Sequence, residues 1–374
     1  MAEAQALLPP EPTKQATPVN AAALDAACAK SKDNKQDPAA QLAYAMLLLE
    51  AAASSSMTTE NGRLDAKAAR KNTERWALLA QKIVKKLASK AYPEGVYFLG
   101  TCYGSDGGRM GLELNREKEY ELYKKASKLG SAKASYRAAV CHEIGSGVKK
   151  DASKAWTYYK LAAQQGDAAS MYKIGMVLLR GGLAQTQSTS EALIWLKRAA
   201  EAADVTTPHA LYELARLYET ADGSNGFLPH DDKLALQYYT KAAALGYLPA
   251  QYRMGAAHEY GTLGCSVDPR RSIAWYSRAA QRGDAESELG LSGWYLTGAE
   301  GMFVKSETES YLWARRASEK GLAKAEYAVG YFIENGIGTT ANMHEAMMWY
   351  KKAAAQKYQK AVNRLRDLNA QQAS

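Results

Sequence analysis

The sequence predicts an all-α protein, an α/α superhelical solenoid of stacked helix pairs, on three observations. Small-residue pairs recur seven times, at Ala126-Ser127, Ala162-Ala163, Ala199-Ala200, Ala242-Ala243, Ala279-Ala280, Ala317-Ser318 and Ala353-Ala354, spaced 36 to 43 residues apart. Large, mostly aromatic residues stand three and four positions before them, including Tyr159, Tyr239, Tyr276, Tyr350, Trp195, Trp275, Trp313 and Trp349. Residues three and four apart share a helical face, so each such helix carries a bulky shoulder beside an alanine notch. Glycines follow most of the notches (Gly130, Gly166, Gly246, Gly283, Gly321) as helix stops.

Along the chain, residues 1–36 hold Pro9, Pro10, Pro12 and Pro18 among polar tracts and are expected to be disordered. Asp37-Pro38 caps a helix to about Ser55. With a second helix, from about Leu64 to Ala91, it forms a capping pair over residues 37–91, joined by the loop SSSMTTENG. Residues 92–368 hold about seven repeats. In each, a helix marked by Tyr (Leu in one) and, three residues on, a small residue alternates with the notched helix. The markers are Tyr97/Gly100, Tyr136/Ala139, Tyr172/Gly175, Tyr212/Ala215, Tyr252/Gly255, Leu289/Ser292 and Tyr327/Gly330. Neither helix can bury its apolar face alone, so the pairs must stack. Glu219 to Asp232 enlarges one turn, and residues 369–374 form a polar tail.

Composition excludes several function classes. The charge is +9, from 48 Lys+Arg against 39 Asp+Glu, with basic residues spaced once per repeat as at Lys124-Lys125, Lys197-Arg198, Arg315-Arg316 and Lys351-Lys352. That spacing describes a solvated face rather than a nucleic-acid track. Four Cys without a CxxC pair and five scattered His argue against a metal site or disulfide framework. The start lacks a signal-peptide pattern, no sequon occurs, and the most apolar stretch, Leu42 to Ala53, is too short to span a bilayer. The expectation is a cytoplasmic protein with no transmembrane segment.

No catalytic motif stands out. Gly290-Leu291-Ser292-Gly293 fails the spacing of a nucleophile elbow, and Gly145-Ser146-Gly147-Val148-Lys149-Lys150 has no preceding strand for a phosphate loop. Cys141-His142 is read as packing, because Cys102 holds the same repeat position. The aromatic rows are read as core. No cofactor site and no enzymatic activity are expected.

KAWTYYKLAAQQGDAASMYKIG (Lys154 to Gly175) and EAMMWYKKAAAQ (Glu345 to Gln356) resemble Sel-one-like repeats, relatives of the tetratricopeptide repeat. PHALYELARLYE (Pro208 to Glu219), GTLGCSVDPRRSIAWYSRAAQRG (Gly261 to Gly283), GWYLTGAEG (Gly293 to Gly301) and TESYLWARRASEKGLAKAEYAVGYFIENGIG (Thr308 to Gly338) are similar to the fungal chitin synthase activator family. The resemblance implies a non-catalytic scaffold that binds and activates or localises a membrane chitin synthase in cell-wall or septum formation. It also implies a bud-neck or septum scaffold as a further partner. Membrane association is then peripheral, through the partner, at the plasma membrane or division septum. The alternatives are an adaptor in another complex, such as protein quality control or signalling, and an enzyme fused to repeats, for which the repeats leave no domain.

By analogy with tetratricopeptide grooves, the marker helices point to a partner site. Glu143, Glu219, Glu259 and Glu334 follow the small marker residue by four positions. Each is either a groove residue or an acceptor for the Gly turn that follows it. Trp294 and Tyr295 add large aromatics where other repeats have smaller or polar ones, either as a binding hot spot or as fill for the space left by Leu289 and Ser292. The candidate site is Tyr252, Glu259, Trp294, Tyr295, Tyr327, Tyr331 and Glu334.

Overall fold

A computed structural model describes residues 21–33, 37–53, 66–104, 109–221, 228–299, 301–302 and 304–373. Among them are eighteen α-helices, one short 3-10 turn and no strand ladder. The described residues divide into two compact units, one up to residue 202 and one from residue 203 on.

The first unit runs α1 (Ala21–Asp33), α2 (Pro38–Ala53), α3 (Ala66–Ser89), α4 (Pro93–Gly104), α5 (Arg116–Lys128), α6 (Ala132–Ile144), α7 (Ala152–Gln164), α8 (Ala168–Arg180) and α9 (Thr189–Glu201). The second runs α10 (His209–Thr220), α11 (Asp232–Ala244), α12 (Leu248–Tyr260), α13 (Pro269–Gln281), α14 (Ala285–Thr297), α15 (Glu307–Glu319), α16 (Ala323–Asn335), α17 (Met343–Ala355) and α18 (Gln359–Ala373). From α4 on, the even-numbered helices carry the Tyr/small-residue marker and the odd-numbered ones the notch. Within each unit, every marker helix packs on the notched helix after it, and every notched helix on the next marker helix, as a stacked α/α solenoid requires.

Two expectations change. Residues 21–33 form a helix instead of part of a disordered segment, because an alanine-rich run with good propensity gains a packing partner: Leu24 is buried and α1 rests on α2. The polar tail continues α18 as far as Ala373. The loop SSSMTTENG and most of the enlarged turn after Glu219 lie outside the described residues.

The notch works by close approach. Ala126, Ala162, Ala199, Ala242, Ala279, Ala317 and Ala353 are fully or almost fully buried. A Cβ added at Gly255 would come within 2.5 Å of the Tyr276 ring, and at Gly330 within 2.7 Å of the Tyr350 ring. The small marker residue therefore admits the large side chain of the facing helix. The row drops out in α18, where Arg366 stands at the marker's small position.

The turn between paired helices repeats as strictly as the helices. Asn115, Asp151, Ser188, Asp231, Asp268, Ser306 and Asn342 are the N-caps of the notched helices, and all but Ser188 accept from a backbone N–H of the first turn. Each also donates its own N–H to a carbonyl near the end of the preceding helix, as Asp268 does to His258 at 2.8 Å and Asn342 to Ile333 at 3.0 Å. Gly147 and Gly338 sit at φ +67, and a Cβ on either would collide with the backbone of Arg116 or Glu307. The segment Gly145 to Lys150 is thus a helix–helix turn whose glycines are demanded by backbone contact.

Ala279 and Ala353 test the notch. Leu at either position overpacks a contact between fully buried side chains, so unfolding is expected to become easier by about 1–3 kcal/mol. Urea midpoints equal to wild type would refute the close-packed notch.

Candidate protein-interaction site

The marker tyrosines are structural partners of the notched helix. Tyr136 lies 5.7 Å from Tyr159 between ring centroids, Tyr212 5.5 Å from Tyr239, Tyr252 5.8 Å from Tyr276 and Tyr327 5.4 Å from Tyr350. Such aromatic pairs add about 0.5–1.5 kcal/mol each beyond the area they bury.

Each buried tyrosine then donates its hydroxyl to the glutamate of the preceding helix. Tyr159 to Glu143, Tyr239 to Glu219, Tyr276 to Glu259 and Tyr350 to Glu334 are all 2.6 Å. In three of the four, the following marker helix supplies a cation to the same carboxylate: Lys173 at 2.7 Å on Glu143, Arg253 on Glu219 and Arg364 on Glu334. The glutamates therefore serve the scaffold, not the Gly turn, because a buried phenol hydroxyl needs an acceptor and a charged one gives the shorter, stronger bond.

Side chains at these positions change together. Where the notched helix has Leu196 or Ala314, the glutamate is replaced by Leu179 or Leu296. Where the marker helix has Gly104, Glu119 of α5 takes the place. Its carboxylate lies against Gly104 and beside Tyr123, and it is paired with Arg116 at 3.0 Å.

Electrostatics follow from this geometry. Burial first, and then the glutamate, holds Tyr159, Tyr239, Tyr276 and Tyr350 protonated far above the usual phenol range. Burial pushes the carboxyls of Glu143 and Glu219 up, but hydrogen bonds from Lys173 and Tyr159, and from Arg253 and Tyr239, outweigh it, and both end below the usual range. At Glu334 the hydrogen bond from Arg364 is the leading cause of the same lowering. His142 and His258 share one repeat position, and burial lowers both. Tyr120 meets His142 Nε2 at 3.0 Å. Cys102 and Cys141 are buried packing residues, and burial pushes the Cys141 thiol up to about 11, away from nucleophilic use.

A second polar row ties the end of a notched helix back to the marker helix before it. Lys320, just after α15, pairs at 2.6 Å with buried Glu288 of α14. Gln356, just after α17, donates to the Gly321 carbonyl and to Glu326, both at 2.9 Å. The other aromatic row, expected in the core, is half-buried except for Trp275, and it seats cations from the next helical turn. Arg198 lies over Trp195, Arg278 over Trp275, Arg316 over Trp313 and Lys352 over Trp349, the last at 4.0 Å. The basic face is therefore partly spent on cation–π contacts.

The candidate site residues separate accordingly. Tyr252 and Glu259 meet Tyr276, and Trp294 packs against the same core cluster, its indole donating to Ser272 at 3.0 Å. Tyr327 and Glu334 gather around Tyr350. Tyr295 is half-buried near Glu309. Tyr331 is 45% exposed, and Tyr260, which the sequence reading passed over, is 68% exposed. Its position at the end of α12, next to Glu259, was the available signal. Among the described residues, no cluster of His, Cys, Asp and Glu could hold a metal ion, and no helix is long and apolar enough to cross a membrane.

The Sel1 repeat model matches residues 93–131, 132–167, 168–204, 208–247, 248–284, 285–322 and 323–358. The chain belongs to the Sel1 repeat family. It is 41% identical over 290 residues to chitin synthase regulatory factor 3 of Schizosaccharomyces pombe, covering 78% of this chain and 31% of that protein. It is 38% identical over 290 residues to the chitin synthase regulator SKT5 of Saccharomyces cerevisiae, covering 77% of this chain and 41% of that protein. The chain thus spans less than half the length of either relative. Its fold matches the crystal structure of c5321, a protective antigen of uropathogenic Escherichia coli, with TM-score 0.65 at 23% identity, covering 90% of this chain and 65% of that one.

The Tyr–Glu pair makes two predictions. In a double-mutant cycle on Glu143→Leu and Tyr159→Phe, the double variant is expected to lose less stability than the sum of the singles, with a coupling of about 0.5–3 kcal/mol. Additive losses would show that the pair does not hold the repeat. Stability is also expected to fall twice on acidification. Below the ordinary histidine value of 6.5, the unfolded chain takes up protons that buried His142 and His258 refuse. Below the ordinary glutamate value of 4.5, the unfolded chain protonates before Glu143, Glu219 and Glu334 do, and their contribution is lost as pH passes through their lower folded values. Urea titrations from pH 7.5 to 3 check both steps, and a flat profile refutes them.

Proposed function

We propose that the chain is a non-catalytic regulator that binds a chitin synthase and activates or localises it in fungal cell-wall or septum formation. The observation that carries this reading is the 38–41% identity, across the repeats, to proteins named as chitin synthase regulators in two yeasts. The internal chemistry supports it. The ionisable groups that repeat along the chain are engaged in holding helices together, and the thiol beside His142 is buried and protonated. The partner surface proposed is the part of α12, α14 and α16 that includes the candidate residues. Tyr331 and Tyr260 supply exposed contact area there, while Trp294 and Glu334 support the fold. Recruitment to the plasma membrane or septum would then come from the synthase, or from a bud-neck or septum scaffold.

The test uses fungal membranes that contain a chitin synthase but lack its regulator. Added purified chain is expected to sediment with these membranes and to raise chitin formation from the nucleotide sugar, while the chain alone turns over none. Tyr260→Ala combined with Tyr331→Ala should reduce sedimentation with an unchanged circular dichroism spectrum. No sedimentation and an unchanged synthesis rate would overturn the reading in favour of an adaptor for another complex, and turnover by the chain alone would overturn its non-catalytic part.

A further inference from the structure

We propose that Glu259 receives a basic side chain, an arginine foremost, from a partner polypeptide. The argument is a comparison of this molecule with itself. Four glutamates stand at one repeat position, and each accepts a tyrosine hydroxyl at 2.6 Å. Three also bind a cation from the next marker helix, Lys173, Arg253 or Arg364. At the fourth, the residue in register with those cations is Gly290, which brings no side chain. The carboxylate that this fold uses three times to hold a cation is therefore present at Glu259 with its tyrosine, and among the described residues none supplies a cation to it.

The surroundings fit a guest from outside. Arg253, on the same helix, is engaged by Glu219 and by Thr262, the latter at 3.2 Å. Asp284 and Glu286 lie near Tyr252, and Glu286 faces Lys324 at 3.5 Å, so the local field is acidic although the chain as a whole carries +9. The Tyr260 hydroxyl lies beside Glu259, and burial and that carboxylate push it up to about 12. Tyr260 and Val267 are 68% and 62% exposed and offer an apolar shoulder to the stem of a long basic side chain. Tyr276 is pressed between Gly255 and Gly290, so its hydroxyl is fixed on Glu259 while its ring is covered. The guest meets a carboxylate already oriented, which reduces the ordering cost of binding. Arginine is favoured because two of the three internal occupants are arginines and a guanidinium can engage both carboxylate oxygens.

The inference rests on the scaffold reading for its partner, but its test needs no synthase. The peptide acetyl-Gly-Gly-Arg-Gly-Gly-amide is titrated into the full chain labelled with 15N-glycine, with the citrulline peptide as the neutral control. The arginine peptide is expected to shift the Gly290, Gly261 and Gly255 amides saturably in the millimolar range, the range of a single charged contact. The citrulline peptide should leave them in place. Glu259→Gln should weaken the effect at least tenfold, because the tyrosine bond survives and only the charge is lost. Shifts equal for both peptides, or undiminished in Glu259→Gln, or absent from these three glycines, overturn the proposal. Failure here with intact synthase activation would leave the regulator reading standing and remove only this contact from it.

Discussion

Four of the seven repeats are held by one hydrogen bond, from a buried tyrosine hydroxyl to a glutamate on the paired helix. Tyr159, Tyr239, Tyr276 and Tyr350 are at most 1% exposed, yet each carries a polar oxygen into the core. Left unpaired, that oxygen would cost a few kcal/mol. Paired with a carboxylate at 2.6 Å, it fixes the register of two helices, and where a lysine or arginine arrives from the next repeat it fixes three. The small marker residue of the facing helix then becomes a requirement, since only a small residue there lets the ring reach the depth at which its hydroxyl meets the acid. Small marker residue, ring and carboxylate form a single device, and Leu179 with Leu196 is its apolar version.

Much of this was legible in the sequence. The spacing of the small pairs located all seven repeats, since a helix that must approach another closely shows it as a periodic absence of side chain. The glycine turns and the packing role of Cys141 were legible for the same reason. The role of the glutamates was not, because the row was read alone. The informative signal was joint: a glutamate accompanies tyrosine sixteen to twenty residues later, and leucine accompanies leucine or alanine. The Asp, Asn and Ser caps repeat just as regularly and define the start of each notched helix better than the apolar pattern does.

The candidate interaction site was legible only in outline. Tyr252, Glu259, Trp294, Tyr327 and Glu334 attracted notice as large or charged groups on one kind of helix, and side-chain type does not distinguish a groove from a seam between repeats. Exposure does, and it depends on which neighbour fills the register position opposite. Glu334 is covered because Arg364 stands in register with it, and Glu259 differs because Gly290 does. A one-residue difference thirty-one positions away changes the surroundings of a glutamate whose own segment looks unchanged. Tyr260 and Tyr331, the exposed aromatics of the second unit's marker helices, were hidden in the sequence among many tyrosines that are packed.

Recognition in such a chain must be built from exceptions. Every repeat needs its seam satisfied, so a residue that obeys the repeat pattern is committed to its neighbours and has little left for a partner. On the proposed reading, the positions that bind are those where the pattern lapses and the fold survives the lapse. Gly290 is one: it removes a cation from a seam that Tyr276 and Glu259 still hold together. Because contacts in stacked repeats are local, a lapse of this kind loosens one seam without unfolding the rest.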